Sequence, residues 1–167
     1  MKPTDFVVTY YPYALAAEKK TGISRVFILA QAALESGWAK SAPGHMLFGI
    51  KDSDGLNGNE QLLLTTEYHS RPDVKYPKTV SVTQVGKKLW KYRVYDYFRK
   101  YDTPEGSFVD HCNFLLKNKR YKQALLVKED PVLFADAIAK AGYATDPLYS
   151  KTLKSIIETV KKIIKFI

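Results

Sequence analysis

Cysteine is almost absent: Cys112 is the single one in 167 residues, which excludes an intrachain disulfide and any cysteine cage for zinc. Histidine is scarce as well. His45, His69 and His111 stand alone, with no pair at metal-ligand spacing, so no metal is expected. There is no Gly-rich phosphate loop and no Gly-x-Ser-x-Gly elbow, which leaves the common phosphate-binding and serine-hydrolase chemistries without support. Cys112 lies at i+4 from Phe108 in an expected helix and reads as core. His111 is its immediate neighbour on an adjacent helix face, a poor arrangement for a thiol and its base. Long apolar runs are missing too. No stretch reaches the length of a membrane span, and Met1 to Phe6 lacks a charged segment followed by the apolar run of a signal peptide.

What is present is the make-up of one folded domain over residues 1–167: 46% hydrophobic and 26% charged residues, with nine Gly and eight Pro. Twenty-six Lys and Arg outnumber 17 Asp and Glu, a net charge of +9. Such a field attracts polyanions, among them nucleic acid, anionic lipid and anionic cell wall. The basic residues are scattered through Lys87-Lys88, Lys117 to Arg120 and the C-terminal lysines, which argues against a dedicated nucleic-acid surface.

The first segment, Thr4 to Lys20, carries apolar residues at helical spacing, with Thr4 as a cap and Pro12 expected to kink or split it. Ser24 is expected to cap a second helix with few polar positions, hence a central and buried one. Residues 37 to 60 read as loop. Gln61 to Tyr68, Thr79 to Val85 and Leu89 to Arg99 are rich in β-branched and aromatic residues and predict a small antiparallel lobe over about residues 60–100. Helices are then expected to start at Thr103-Pro104, Asp130-Pro131 and Asp146-Pro147, each a cap followed by Pro, with a short one around Arg120 to Leu126. In the last helix Leu153, Ile156, Ile157, Val160, Ile163, Ile164 and Ile167 form one apolar row. Such a basic amphipathic helix can lie on a membrane, but closing a core is the commoner use, and no stable membrane insertion is expected. The fold class is α+β, mainly helical, with the β-lobe inserted between helices.

The sharpest local feature is Ala32-Ala33-Leu34-Glu35-Ser36-Gly37-Trp38, where a carboxylate ends an apolar helix. Ionising a carboxyl there is costly unless it finds a partner. Glycosidic hydrolysis needs such a proton donor, and an apolar wall, supplied by Trp38 or Phe48, raises a Glu pKa into the useful range. From position alone, an exposed helix end or a bond to a loop amide is the commoner account of such a Glu. A second group must activate water or stabilise the positive charge on the sugar. Glu60, Glu67, Asp73 and Asp96 of the β-lobe are candidates, and Glu67, near a strand end, is also consistent with a merely solvated residue.

Six segments occur in order: Ala30 to Trp38, Leu47-Phe48-Gly49-Ile50-Lys51, Thr65-Thr66-Glu67-Tyr68, Phe98 to Tyr101, Ser107 to His111 and Ala141-Gly142-Tyr143-Ala144-Thr145-Asp146-Pro147. Together they resemble the family 73 glycoside hydrolases, the β-N-acetylglucosaminidases of bacterial autolysins, flagellar wall-digesting proteins and phage endolysins, over about residues 4 to 165. The resemblance implies a lysozyme-like fold and hydrolysis, without cofactor, of the β-1,4 bond between N-acetylglucosamine and N-acetylmuramic acid in peptidoglycan glycan strands. It places the general acid on Glu35. For the second group it offers Glu67, or attack by the substrate's own N-acetyl group assisted by Tyr143. It implies a sugar cleft lined by Trp38, Phe48 and Tyr149. A muramidase, a lytic transglycosylase or a non-catalytic wall-binding module are the alternatives. A monomer acting at the bacterial wall, exported or phage-delivered, is expected. Two departures stand out: Met46 replaces the family's usual Asn before Leu47, and Val74 to Lys88 is longer than the usual hairpin.

Overall fold

The computed structural model of the protein describes residues 1–167. The chain forms two compact units, Met1–Phe48 with Tyr101–Ile167, and Gly49–Lys100. The first is helical and the second is an antiparallel sheet, so the class is the expected mainly helical α+β, with the β-lobe inserted in sequence between helices.

In the helical unit, α1 (Pro3–Thr21) and α2 (Arg25–Ser36) are followed by α3 (Pro104–Lys117), α4 (Pro131–Lys140) and α5 (Tyr149–Ile164). Helix α2 packs against α1, α4 and α5, and Phe27, Ile28, Leu29, Ala30, Ala32 and Ala33 are buried along it, as its apolar character predicts. Across the core Phe27 meets Phe134 at 4.6 Å between ring centroids. The α5 row closes this core with Leu153, Ile157 and Val160 fully buried. Ile167 falls beyond the helix and is exposed. No helix is long and apolar enough to cross a membrane.

Several helix boundaries follow local chemistry and several do not. Thr103 accepts from Gly106 N–H and Asp130 from Val132 and Leu133 N–H, as N-caps should. Asp146 takes the Leu148 N–H with its side chain and the Tyr149 N–H with its carbonyl. It therefore closes a turn, and α5 starts at Tyr149 rather than at Pro147. Ser24 occupies the N-cap position of α2, as expected, without a side-chain cap bond; separately, Glu18 accepts the Arg25 N–H at 2.5 Å. Pro12 does not split α1, which runs unbroken through it from an N-cap at Lys2 rather than Thr4. Pro12 and Val8, whose carbonyl loses its helical donor, are both exposed, so water can replace the missing bond. In place of a short helix at Arg120 to Leu126 there are two 3-10 turns, Lys119–Tyr121 and Ala124–Val127.

In the second unit β1 (Glu60–His69), β2 (Lys78–Gly86) and β3 (Leu89–Arg99) form a sheet in the order β1-β3-β2. Strand β3 is central, and its buried Tyr92, Val94 and Phe98 alternate with outward residues. The long Val74–Lys88 stretch supplies β2, and the loop before it is tied down by the Tyr92 hydroxyl, which donates to the Arg71 carbonyl and accepts from Val74 N–H. Past the Lys78–Tyr95 pair β2 leaves that edge of β3, and Lys51 pairs with Phe98 there.

Candidate active site

Glu35 occupies the last turn of α2, one residue before its end at Ser36. Gly37 follows with φ 59°, and Trp38 and Ala39 continue at φ 61° and 55°. Left-handed backbone suits glycine and costs on the order of 1 kcal/mol at each other residue, so two strained residues sit three and four positions after the candidate acid. The turn is held by Trp38 N–H on the Ala33 carbonyl and by Ser36 Oγ, which accepts from Ala39 N–H and donates to the Ala32 carbonyl. Trp38 is half-buried, its ring edge-on to Phe6 at 5.5 Å.

Glu35 is itself exposed, yet its neighbours crowd the carboxyl enough that burial raises its pKa above the ordinary Glu value. A hydrogen bond from the Tyr149 hydroxyl, 3.4 Å to Oε1, offsets only part of this. Tyr149 is 8% exposed at the start of α5, so it presents its hydroxyl to Glu35 rather than a free ring face. Tyr143 is aimed by the end of α4. Gly142, at φ 88°, donates to the Ala139 carbonyl and Tyr143 to the Ile138 carbonyl, the Schellman pairing that needs a residue free to adopt left-handed backbone. Tyr143 and Tyr149 lie 5.4 Å apart between centroids. Burial, and after it the charge of Glu35, raise the Tyr143 pKa far above the usual phenol range, so it stays a neutral hydroxyl. Phe48 stacks flat on His111 at 3.9 Å and 7°. The loop before Phe48 is fixed by its backbone, Leu47 N–H to Ser107 Oγ and Tyr101 N–H to the Gly44 carbonyl. Met46 also uses its backbone, donating to the Pro43 carbonyl.

The helical unit therefore brings Glu35, Tyr143 and Tyr149 together, with Phe48 joined to them through His111. Sequence reasoning left His111 and Gln31 without a role. Gln31 is fully buried and bonded at both ends, to Tyr149 and to His111. Its position four residues before Glu35, on an otherwise apolar stretch, was the available signal.

Glu67 belongs to the sheet unit and has a different environment. Lys51 Nζ lies 2.8 Å from Glu67 Oε1 and 2.9 Å from Asp96 Oδ2. Burial lowers the Lys51 pKa, but the bonds to Glu67 and Asp96 outweigh it and leave it raised. Tyr76 and Phe98 place ring faces 5.7 and 5.9 Å from the ammonium. Glu60 instead accepts the Asn57 and Gly58 N–H groups and Asp73 pairs with Arg71, both in exposed settings. No group of three or more His, Cys, Asp or Glu is arranged to hold a metal ion.

The chain is 35% identical over 159 residues to the peptidoglycan hydrolase FlgJ of Pseudomonas aeruginosa, covering 91% of this chain and 35% of that protein. It is 32% identical over 165 residues to FlgJ of Vibrio parahaemolyticus, covering 95% and 48%. It thus spans between about a third and a half of these relatives' length. The glycoside hydrolase domain of Salmonella typhimurium FlgJ superposes with a TM-score of 0.74 at 28% identity, covering 99% of this chain and 92% of that one, so the fold is the lysozyme-like one expected. Residues 11–162 match the family model described as mannosyl-glycoprotein endo-beta-N-acetylglucosaminidase, and the chain belongs to that glucosaminidase family, the family 73 glycoside hydrolases that its motifs resemble.

Proposed function

We propose that the protein hydrolyses the β-1,4 bond between N-acetylglucosamine and N-acetylmuramic acid in peptidoglycan, with Glu35 as general acid. The observation that carries this reading is the Glu35 carboxyl, raised by burial and met by a hydroxyl rather than a cation. A carboxyl so placed holds a proton closer to neutral pH than a solvated one and can deliver it to the leaving oxygen. Glu67 is the second carboxylate of the proposal. In this proposal it activates water or faces the oxocarbenium-like sugar, with the Lys51 ammonium 2.8 Å away. Tyr143, a neutral donor, orients or stabilises the N-acetyl group, Trp38 and Phe48 contribute the aromatic side of the sugar site, and Tyr149 takes part through its hydroxyl on Glu35. The relatives named peptidoglycan hydrolase, and the net charge of +9 against an anionic wall, support this substrate and a place of action at the bacterial wall.

The test is digestion of purified peptidoglycan, with reduction of the products and mass analysis. Reducing-end N-acetylglucosamine is the expected result. Reducing-end muramic acid would make the protein a muramidase, and anhydromuramic ends a lytic transglycosylase. Wall binding without any release would make it a binding module.

A further inference from the structure

We infer that His111 and Gln31 are positioning residues for the acid: a one-way hydrogen-bond chain from α3 through α2 to α5 decides that the Tyr149 proton points at Glu35. The inference rests on the reading of Glu35 as the acid. His111 Nε2 lies 2.7 Å from Gln31 Oε1, Gln31 Nε2 donates to the Tyr149 oxygen at 2.9 Å, and Tyr149 donates to Glu35 Oε1 at 3.4 Å.

The direction of the chain follows from the facing atoms and a proton count: Gln31 Oε1 can only accept, so the His111 Nε2 that meets it is the ring nitrogen that carries the N–H. His111 is 3% exposed, and burial pushes its pKa down to about 3, so the ring is neutral and owns one N–H. Spent on Gln31 Oε1, that N–H leaves the amide oxygen satisfied and the amide nitrogen facing Tyr149. The phenol oxygen then accepts from Gln31, and its only proton is left for Glu35. Turning the amide over would take that proton for Gln31 and leave the Glu35 carboxylate without its donor. The ring that sets this order is clamped, with Phe48 flat against it at 3.9 Å and Tyr143 edge-on at 6.1 Å. A buried amide and imidazole are costly in an apolar core unless every group is paired. Here the pairing ends on an exposed carboxyl.

The consequence is a balance at Glu35. Burial pushes its proton affinity up, and the Tyr149 O–H, held in place by the chain, pulls it back and catches the carboxylate once the proton has left. The titratable groups facing this pair are Tyr143, which feels the Glu35 charge, and Tyr121, which acts on both tyrosines. Tyr143, its pKa raised by burial, stays a neutral hydroxyl.

The experiment is a carbon-13 titration of the side-chain carboxyls, with Glu35 assigned through Glu35→Gln, run beside the pH profile of peptidoglycan digestion. Tyr149→Phe and His111→Phe should each raise the Glu35 midpoint by about half a unit to one unit. In His111→Phe the basic limb of kcat/KM should move by the same amount, with kcat down about threefold to tenfold and KM within about twofold. His111→Gln, which returns an amide donor near the place of Nε2, should restore the midpoint to within about 0.2 units. A folded His111→Phe with an unmoved midpoint overturns the inference. If that variant does not fold, Gln31→Met carries the same expectation. The wild type gives a measurement that needs no variant: its nitrogen-15 spectrum should show His111 as the neutral Nε2–H tautomer between pH 5 and 7, and the Nδ1–H tautomer overturns the chain. Shifted titrations in a protein that releases no sugar would sink the hydrolase reading and leave the chain standing. Active wild type with unmoved titrations would sink the chain alone.

Discussion

Glu35 ends an apolar helix among tyrosines, with a hydroxyl as its partner, whereas Glu67 sits in a strand with an ammonium 2.8 Å away and a second carboxylate, Asp96, sharing it. Both carry the same functional group in different surroundings: burial raises the Glu35 pKa, whereas Glu67 lies against an ammonium. Burial without a countercharge favours the neutral acid, while an ion pair favours the charged form. Most glycosidases pair one carboxyl of each kind. The helical unit can build the first because α2 is buried nearly all round. In the sheet unit Lys51 instead reaches two carboxylates on one face.

The largest expected effect tests the acid. Glu35→Gln should lower sugar release by about a thousandfold or more, since an amide of the same shape has no proton to give. Glu67→Gln should cost less, about a hundredfold, if it activates water or stabilises charge. Product assays on both variants decide whether the two environments correspond to two roles. Full activity in Glu67→Gln would break the comparison and move the second function to Tyr143 and the substrate's own acetamido group. Lys51→Met comes next. It leaves Glu67 and Asp96 facing each other without their shared cation, and should lower stability by about 1 kcal/mol in urea unfolding, the modest figure set by how exposed the pairs are. It should also reduce sugar release, through Glu67, by less than Glu67→Gln does.

The elements of each region were legible to the extent that their causes are local. Thr103 and Asp130 announce helices because a cap bonds an amide two or three residues away, and Leu89 to Arg99 reads as a strand because its alternation is its own. Pro12 misled because the cost of a proline depends on which side of the helix loses its donor, and that side faces water. Ser24 holds the N-cap position its sequence announces but makes no side-chain cap bond, and Glu18, across the turn, meets a different amide, that of Arg25. The site divides in the same way. Glu35 stands out where an apolar run ends in a carboxylate, while the bonds that set its chemistry join residues 80 and 118 positions apart. No pattern within one helix encodes such a bond. Lys51 was visible within a motif, but its two carboxylate partners are brought to it by strand register, with Glu67 opposite Tyr92 and Asp96 opposite Leu63.

The smallest effect is the most discriminating, because it has a sign. The Glu35 pKa is raised in the fold, so the folded protein binds this proton more tightly than the unfolded chain. The stability it contributes is therefore fully present below the unfolded pKa of about 4.3 and is lost as pH rises through the folded value. Glu35→Gln removes that loss. The variant should match wild type near pH 3.5 and become the more stable of the two as pH approaches neutrality, in paired urea unfolding curves. Glu67→Gln should do the reverse at neutral pH, because it breaks an ion pair and leaves Lys51 with Asp96 alone. If both substitutions shift stability in the same direction at pH 7, the two regions do not treat their carboxylates differently. An increase confined to Glu35→Gln, in a variant that no longer releases sugar, would mean that the fold gives up stability at the position its chemistry needs.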